Sequence, residues 1–142
     1  MIRAVFDTNV VVSGFLSPSG PPGRIVDWLR AGSVVAVVDE RILGEYAEVL
    51  VRPTFGLRPA DVDDVLAAIR SQATWVDVGP DDMVKLPDPD DAAFAECALV
   101  ERVPLVAGNL RHFPKQDCHG LRVMTPAEFV RFAGGARGSN IM

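Results

Sequence analysis

Three short, mostly apolar runs, each of which stops at an acid or an amide side chain, constrain the fold of this chain most. The runs cover residues 2–6, 34–38 and 103–107, and they stop at Asp7, Asp39 and Gly108-Asn109. Apolar runs of this length, separated by helix-like stretches, are typical of buried parallel strands in an α/β sheet. The carboxyl ends of parallel strands meet at one edge of the sheet, where ligands bind. We therefore predict an α/β fold with a ligand site at that edge.

The length of the chain predicts a single domain. Its 142 residues, 49% of them hydrophobic, are enough for one full core and too few for two. We place the domain at residues 1–133, and the glycine-rich residues 134–142 are predicted to form a flexible C-terminal tail. The sequence has neither an apolar run of about 18 residues nor a signal-peptide pattern. We therefore expect a cytoplasmic protein with no membrane partner.

The net charge of the chain limits the ways in which it can bind nucleic acid. A formal net charge of −5 weighs against a protein that binds nucleic acid through phosphate neutralisation alone. It does not exclude an enzyme whose acidic pocket holds cations, because a bound metal inverts the local charge. All 14 basic residues except Lys85 and Lys115 are arginines, which suit bidentate phosphate contacts. The two cysteines, Cys97 and Cys118, are too few for a disulfide framework.

Helices and two further strands are predicted around the three apolar runs. The spacing of apolar residues predicts helices over 13–16, 24–31, 40–51, 58–73 and 92–102, with a last helix over 125–132 that opens on a Thr-Pro-Ala-Glu capping box. Residues 17–23, rich in proline and glycine, are predicted to form a loop. Short strands are predicted over 74–78 and 121–123.

The helix over 92–102 opens on an unusual concentration of acids. Asp88, Asp90 and Asp91 surround its start, and helix capping explains them only in part. Three carboxylates crowded at one point repel each other unless a cation or protons intervene. Asp91 lies one turn before Phe94 and shares its face, so we predict that Asp91 points inward. Asp88 or Asp90 is then the expected cap.

Four oxygen-bearing side chains are expected to converge at the sheet edge. They are Asp7, Glu45, Asp91 and Asn109. Hard oxygen ligands select Mg²⁺ or Mn²⁺, and the natural chemistry of these ions is phosphoryl transfer. Two structural alternatives stay open: Asp7 only caps the next helix, and Glu45 is a solvated carboxylate paired with Arg41. A zinc site of His112, Cys118 and His119 is not predicted, because their spacing fits no common closed set.

The order and spacing of these motifs resemble a known family. The matching segments are Val5-Phe6-Asp7-Thr8-Asn9-Val10, Glu45, Asp88-Pro89-Asp90-Asp91-Ala92-Ala93-Phe94 and Gly108-Asn109-Leu110-Arg111-His112-Phe113-Pro114. The chain resembles PIN-domain ribonucleases, of the bacterial kind found as toxins of VapBC-like toxin–antitoxin pairs. The resemblance implies a three-layer α/β/α sandwich with a central, mostly parallel sheet of four to five strands. It also implies Mg²⁺- or Mn²⁺-dependent cleavage of single-stranded RNA, a homodimer and a cognate antitoxin.

The resemblance also assigns roles to individual residues. Asp7, Glu45 and Asp91 match the catalytic, metal-binding acids of the family. Asn109 stands where many relatives have a fourth aspartate, and it offers a metal a carbonyl oxygen without charge. Ala107 replaces a frequent threonine or serine. Supporting roles fall to a further group of residues: Thr8, Asn9, Ser13, Asp88 and Asp90.

Two other functions are compatible with parts of the sequence. Asp7-Thr8-Asn9-Val10 resembles the opening motif of haloacid-dehalogenase-type phosphatases, in which an aspartate is the nucleophile. That chemistry usually needs a second acid at the position of Asn9. The other alternative is a PIN-like binding module with weakened activity that acts through an antitoxin or RNA, which Asn109 and Ala107 motivate.

Overall fold

The central sheet of the protein has five strands, all parallel. The computed structural model describes residues 2–114, 117–118 and 120–141, with side chains up to residue 135. The strands are β1 (Arg3–Phe6), β2 (Val35–Val38), β3 (Thr74–Trp75), β4 (Leu105–Val106) and β5 (Val123–Met124). Their order is β3-β2-β1-β4-β5, so β1 lies at the centre of the sheet. The predicted α/β fold with a parallel sheet is confirmed.

Helices flank this sheet. They are α1 (Thr8–Leu16), α2 (Pro21–Ala31), α3 (Glu40–Leu50), α4 (Pro59–Gln72), α5 (Ala92–Glu101) and α6 (Pro126–Ile141). Short 3₁₀ helices lie at Pro53–Phe55, Pro80–Asp82, Pro89–Asp91 and Leu110–His112. Helix α2 packs against α1, α4 and α6, whereas α5 packs on β1 and β2. The three-layer α/β/α arrangement is therefore confirmed.

The strand order places a crevice beside β1. The chain runs from β1 through β2 to β3 on one side, and then returns to β4 and β5 on the other side. The order therefore reverses between β1 and β4, which is the topological switch point where open α/β sheets bind ligands. The backbone N–H of Asp7 donates to the carbonyl of Val106 at 2.9 Å, so the β1–β4 pairing continues to the acid. Asp7 thus lies at the switch point.

The first two helices begin earlier than the sequence predicts. Helix α1 begins at Thr8, directly after Asp7, because its β-branched run of valines is buried on a helix instead of extending β1. Helix α2 begins at Pro21, because proline is well suited to the first helical positions, where the backbone N–H has no partner to lose. The loop is therefore limited to residues 17–20. Gly23 packs so closely on the Pro18 backbone that a Cβ there would overlap it.

Several other element bounds differ from the predicted ones. Strand β3 stops at Trp75, and β5 covers Val123–Met124 instead of 121–123. The capping box is confirmed, because Thr125 and Glu128 exchange side chain to backbone hydrogen bonds of 3.0 and 3.1 Å. Helix α6, however, does not end at residue 132 but continues to Ile141. A flexible tail over 134–142 stays a prediction, and Met142 is outside the described residues.

Phe6 anchors the sheet to the last helix. Its ring packs edge-on against Phe129 of α6, with 5.4 Å between the ring centroids. Both side chains are fully buried, so the residue before Asp7 is fixed by the core. None of the helices in the described part of the chain has the length and apolar composition needed to span a bilayer.

Candidate active site

Asp7 occupies the junction between β1 and α1. Its carboxylate is only 5% exposed and caps α1, because Oδ1 accepts a hydrogen bond from the Asn9 backbone N–H at 3.3 Å. One oxygen of Asp7 therefore does cap α1, as the structural alternative predicts. Burial raises the pKa of Asp7 above its ordinary value, although the backbone hydrogen bonds and the nearby His112 oppose the rise. An ordinary exposed cap carries no such cost of desolvation.

Two hydrogen bonds tie α3 to this junction. The Thr8 hydroxyl donates to the carboxylate of Glu45, and the Tyr46 hydroxyl donates to the carbonyl oxygen of Phe6. Each bond joins a residue next to Asp7 to Glu45 or to its neighbour. Burial raises the pKa of Glu45; the hydrogen bond from Thr8 opposes this rise, and the negative charge of Asp7 adds to it.

The solvated alternative for Glu45 is wrong. Glu45 is half-buried and bound to Thr8. Arg41, its expected partner, instead donates to Asp39 at 2.8 Å and to Glu96 at 2.7 Å. The spacing of Arg41 and Glu45 on one helix predicted their pairing, but it gave no information about Glu96 on α5. This buried acid competes more strongly for the Arg41 guanidinium than a more exposed acid does.

Asp91 is the second buried acid of the site. The carboxylate of Asp88 accepts the Asp90 backbone N–H at 3.0 Å and so caps the 3₁₀ turn Pro89–Asp91. Asp91 is then directed inward, where it is 9% exposed, as its spacing predicts. Burial raises its pKa to about 6; His112 partly opposes this rise, and the negative charges of nearby acids, Asp7 first, add to it.

Among the described residues, one oxygen of Asp91 has no hydrogen-bond partner. This oxygen, Oδ2, is buried and accepts no hydrogen bond there, and the nearest basic atom is His112 Nδ1 at 3.4 Å, which pairs with it only when the imidazole is protonated. Buried polar atoms are nearly always paired, and an unpaired carboxylate oxygen is more costly than a neutral group. This oxygen is therefore the atom of the site whose charge a bound cation would compensate.

His112 connects Asn109 to this acid, a role that the sequence did not reveal. Its Nε2 lies 3.2 Å from Asn109 Nδ2, while Asn109 Oδ1 accepts the Arg111 backbone N–H at 3.1 Å. Asn109 is exposed, and in the part of the chain that the structure describes its link to Asp91 runs through His112. The spacing of Asn109 and His112 could have indicated their contact. His112 follows the cap residue by three positions and therefore returns to the same side of the 3₁₀ turn.

The predicted supporting residues divide into two groups. Thr8 contacts Glu45, and Asp88 holds the turn of Asp91. Asn9 and Ser13 have exposed side chains, and neither side chain bonds to the carboxylates in the part of the chain that the structure describes. Asp90 is exposed and, together with Glu45, Glu48 and Arg52, lines a groove of about 640 Å³ between α3 and the start of α5.

The donor set fits a hard divalent cation. Its side chains are oxygen ligands, their charges repel each other, and one buried oxygen is unpaired. In residues 2–114, 117–118 and 120–141, no three His, Cys, Asp or Glu side chains already surround a common point as a finished metal site. His119, part of the rejected zinc set, is outside the described residues.

Comparisons with known proteins agree with this architecture. A family model described as the PIN domain matches residues 3–110. A protein of Methanocaldococcus jannaschii described as uncharacterized is 24% identical over 140 residues, which cover 91% of this chain and 90% of that protein. A chain of VapBC2 from Rickettsia felis, whose crystal structure was solved bound to a promoter DNA fragment, has a similar fold with a TM-score of 0.56. The sequence identity is 15%, and the superposition covers 88% of this chain and 98% of the VapBC2 chain. The model match spans most of the chain, which therefore belongs to the PIN domain family.

Proposed function

We propose that this protein is a metal-dependent endoribonuclease that cleaves phosphodiester bonds of single-stranded RNA. PIN domains are generally nucleases and typically use divalent metals, which supports the general class. The observation that carries the proposal is the buried Oδ2 of Asp91, which has no hydrogen-bond partner among the described residues, together with the negative charges of Asp7, Asp88 and Glu45, which add to the rise in its pKa caused by burial. Such an arrangement is unfavourable without a cation and becomes favourable with one.

The proposed ligands are Asp7, Glu45 and Asp91, with the carbonyl oxygen of Asn109 as an uncharged fourth. When bound, Mg²⁺ or Mn²⁺ supplies Lewis-acid activation of the scissile phosphate and of water. Thr8 orients Glu45 through its hydroxyl, and the capped turn that Asp88 holds directs Asp91 inward. Asn109 would offer the cation an uncharged oxygen that already accepts the Arg111 N–H, so we expect its contribution to be weak.

The test combines metal binding and RNA cleavage on the same samples. Wild type is expected to bind Mn²⁺ in calorimetry and to cut single-stranded RNA, and Asp91→Asn is expected to lose both. Asp63→Asn, which removes an exposed acid of α4, is the control matched in charge and should behave as wild type. Cleavage that persists in Asp91→Asn and in EDTA would contradict the proposal.

A binding module with weakened activity is the second candidate, and two observations favour it. Asn109 brings no charge and its carbonyl oxygen is already engaged, while the buried Ala107 has no hydroxyl to contribute. In that case wild type binds no Mn²⁺, and RNA or protein binding persists without cleavage. The family match favours the nuclease over the phosphatase alternative, as does the exposed side chain of Asn9.

We further propose that the protein is the toxin of a toxin–antitoxin pair, acts in the cytoplasm and forms a homodimer. The toxin assignment is supported by the shared fold with VapBC2 of Rickettsia felis. The cognate antitoxin is expected to cover the carboxylates. Coexpression with the neighbouring gene, followed by a cleavage assay of the purified complex, tests this: the complex should be inactive and should regain activity when the partner is removed.

A further inference from the structure

A second buried acid on α5 has no role in the proposed chemistry. Glu96 is 1% exposed, yet both of its oxygens are engaged: Oε1 accepts from Arg41 Nη1 at 2.7 Å and Oε2 accepts from the Val84 N–H at 2.9 Å. Arg41 is held from its other side by Asp39, which caps α3. Glu96 therefore connects three segments: α3, α5 and the loop around Val84.

Two of the proposed ligands lie on or between these segments: Glu45 on α3, and Asp91 in the turn that joins the Val84 loop to α5. Arg41 lies one helical turn before Glu45, on the same side of α3. Glu96 lies five residues after Asp91, and the chain from Val84 leads directly into the acidic turn at Asp88. Each half of the ion pair therefore lies within two helical turns of a proposed ligand along the chain, and α3 packs against α5.

Stability alone does not explain this arrangement. Taking a carboxylate out of water is costly, and well-packed apolar residues often replace a buried ion pair without loss of stability. A charged pair differs from an apolar contact in that it fixes the direction and the separation of its two partners. The feature that needs such a fixed separation here is the distance between Glu45 and Asp91.

We infer that the Arg41–Glu96 ion pair positions the proposed metal ligands by fixing the start of α5 and the 84–91 segment against α3. The inference rests on the proposed function, because it concerns the same ligands. Neither Arg41 nor Glu96 touches the cation in this scheme; both are positioning residues that act through Glu45 and Asp91. Outer residues that orient metal ligands typically change metal affinity by about 10- to 100-fold.

The test is a double variant that removes the pair and keeps apolar volume, Arg41→Met/Glu96→Met. We expect its Mn²⁺ Kd to rise about tenfold in calorimetry, while its urea midpoint falls only slightly, because the Val84 N–H loses its acceptor. The matched control is Arg3→Met/Glu101→Met, because this pair, at 2.8 Å, joins the far end of α5 to β1. The control should bind Mn²⁺ as wild type does.

The possible outcomes separate this inference from the proposed function. Unchanged Mn²⁺ affinity in the double variant, or an equal loss in the control, overturns the inference and leaves the nuclease proposal intact. A wild type that binds no Mn²⁺ overturns both. If the double variant does not fold, Glu96→Gln keeps the volume and an acceptor for Val84 but removes the charge, and it should weaken Mn²⁺ binding. Arg41→Lys, which keeps a cation, should restore part of the affinity relative to Arg41→Met.

Discussion

Helix α5 and the turn before it hold two buried carboxylates with opposite surroundings. Glu96 has a partner for each oxygen, whereas Asp91, five residues earlier, leaves Oδ2 unpaired and is surrounded by other acids. Both are taken out of water, so burial by itself does not distinguish a structural acid from a ligand. The two acids differ in how many of their carboxylate oxygens have a hydrogen-bond partner.

The largest expected effect comes from removing the partner of the satisfied acid. Arg41→Met leaves Glu96 buried and without its cation, and we expect a loss of about 3 kcal/mol in the free energy of unfolding, measured in urea. Adding Glu96→Met should recover most of that loss, because the buried charge is then gone. Arg3→Met, at a pair that is about one-third exposed, should cost less than about 1 kcal/mol. A double variant as unstable as Arg41→Met would contradict this account of Glu96.

Metal binding at Asp91 should instead raise the free energy of unfolding. At a free Mn²⁺ concentration about 100-fold above its Kd, wild type should gain about 2.7 kcal/mol in the free energy of unfolding. Asp91→Asn should gain nothing measurable, and the surface control Asp63→Asn should gain as much as wild type. Thermal unfolding with and without EDTA measures all three. Equal stabilisation of Asp91→Asn would place the cation elsewhere.

Without metal, removing the charge of Asp91 should stabilise the fold. The rise of its pKa from 3.8 to about 6 sets an upper bound of roughly 3 kcal/mol. Solvent in the adjoining groove reduces this, so we expect Asp91→Asn in EDTA to gain about 1 kcal/mol near pH 7. Because the folded pKa lies above the unfolded one, the penalty is full above pH 6 and disappears as the pH falls towards 3.8.

Urea unfolding of both proteins at about pH 7 and about pH 4 checks the sign. The difference between Asp91→Asn and wild type should be present at the higher pH and absent at the lower one. A variant that is less stable than wild type at the higher pH would show that Asp91 is satisfied in the folded protein.

The smallest effect concerns the part of α3 between Arg41 and Glu45. Gly44 is exposed inside this helix, and a Cβ there would meet nothing within 4 Å. Gly44→Ala should therefore stabilise the fold by roughly 0.5 to 1 kcal/mol, because glycine is a poor helix former. If rigidity is all that the site requires of α3, the Mn²⁺ affinity of Gly44→Ala should equal that of wild type. Gly56→Ala, at a positive φ, is the contrasting control and should destabilise.

The sequence predicted the site better than its surroundings. Apolar runs that stop at Asp7 and Asn109 indicated that both residues follow neighbouring parallel strands, as they do in the structure, because parallel strands end at one edge of a sheet. Their role as ligands stays a prediction. The helical spacing from Asp91 to Phe94 likewise predicted which acid is buried. These inferences depend on local geometry, which a single sequence contains.

Contacts between distant segments were not predictable in the same way. The Thr8–Glu45 bond joins residues 37 positions apart and the Arg41–Glu96 pair joins residues 55 apart, so neither leaves a local pattern. A charged residue within the apolar helix α5 was the available signal for Glu96, since a helix buried on most sides has no solvated face for an acid. The early start of α1 was missed because its valines favour strands in isolation.

The central position of β1 also affects when the protein becomes active during synthesis. Asp7 emerges first, but its neighbour in the sheet on one side, β4, begins only at Leu105. At about 5–20 residues per second, a nascent chain therefore spends several seconds with the first acid made and the switch-point crevice unformed. The long separation between β1 and β4 is also slow to close. An enzyme proposed to be toxic thus acquires its site only after β4 has been made, and a partner that is synthesised at the same time can fold during this interval.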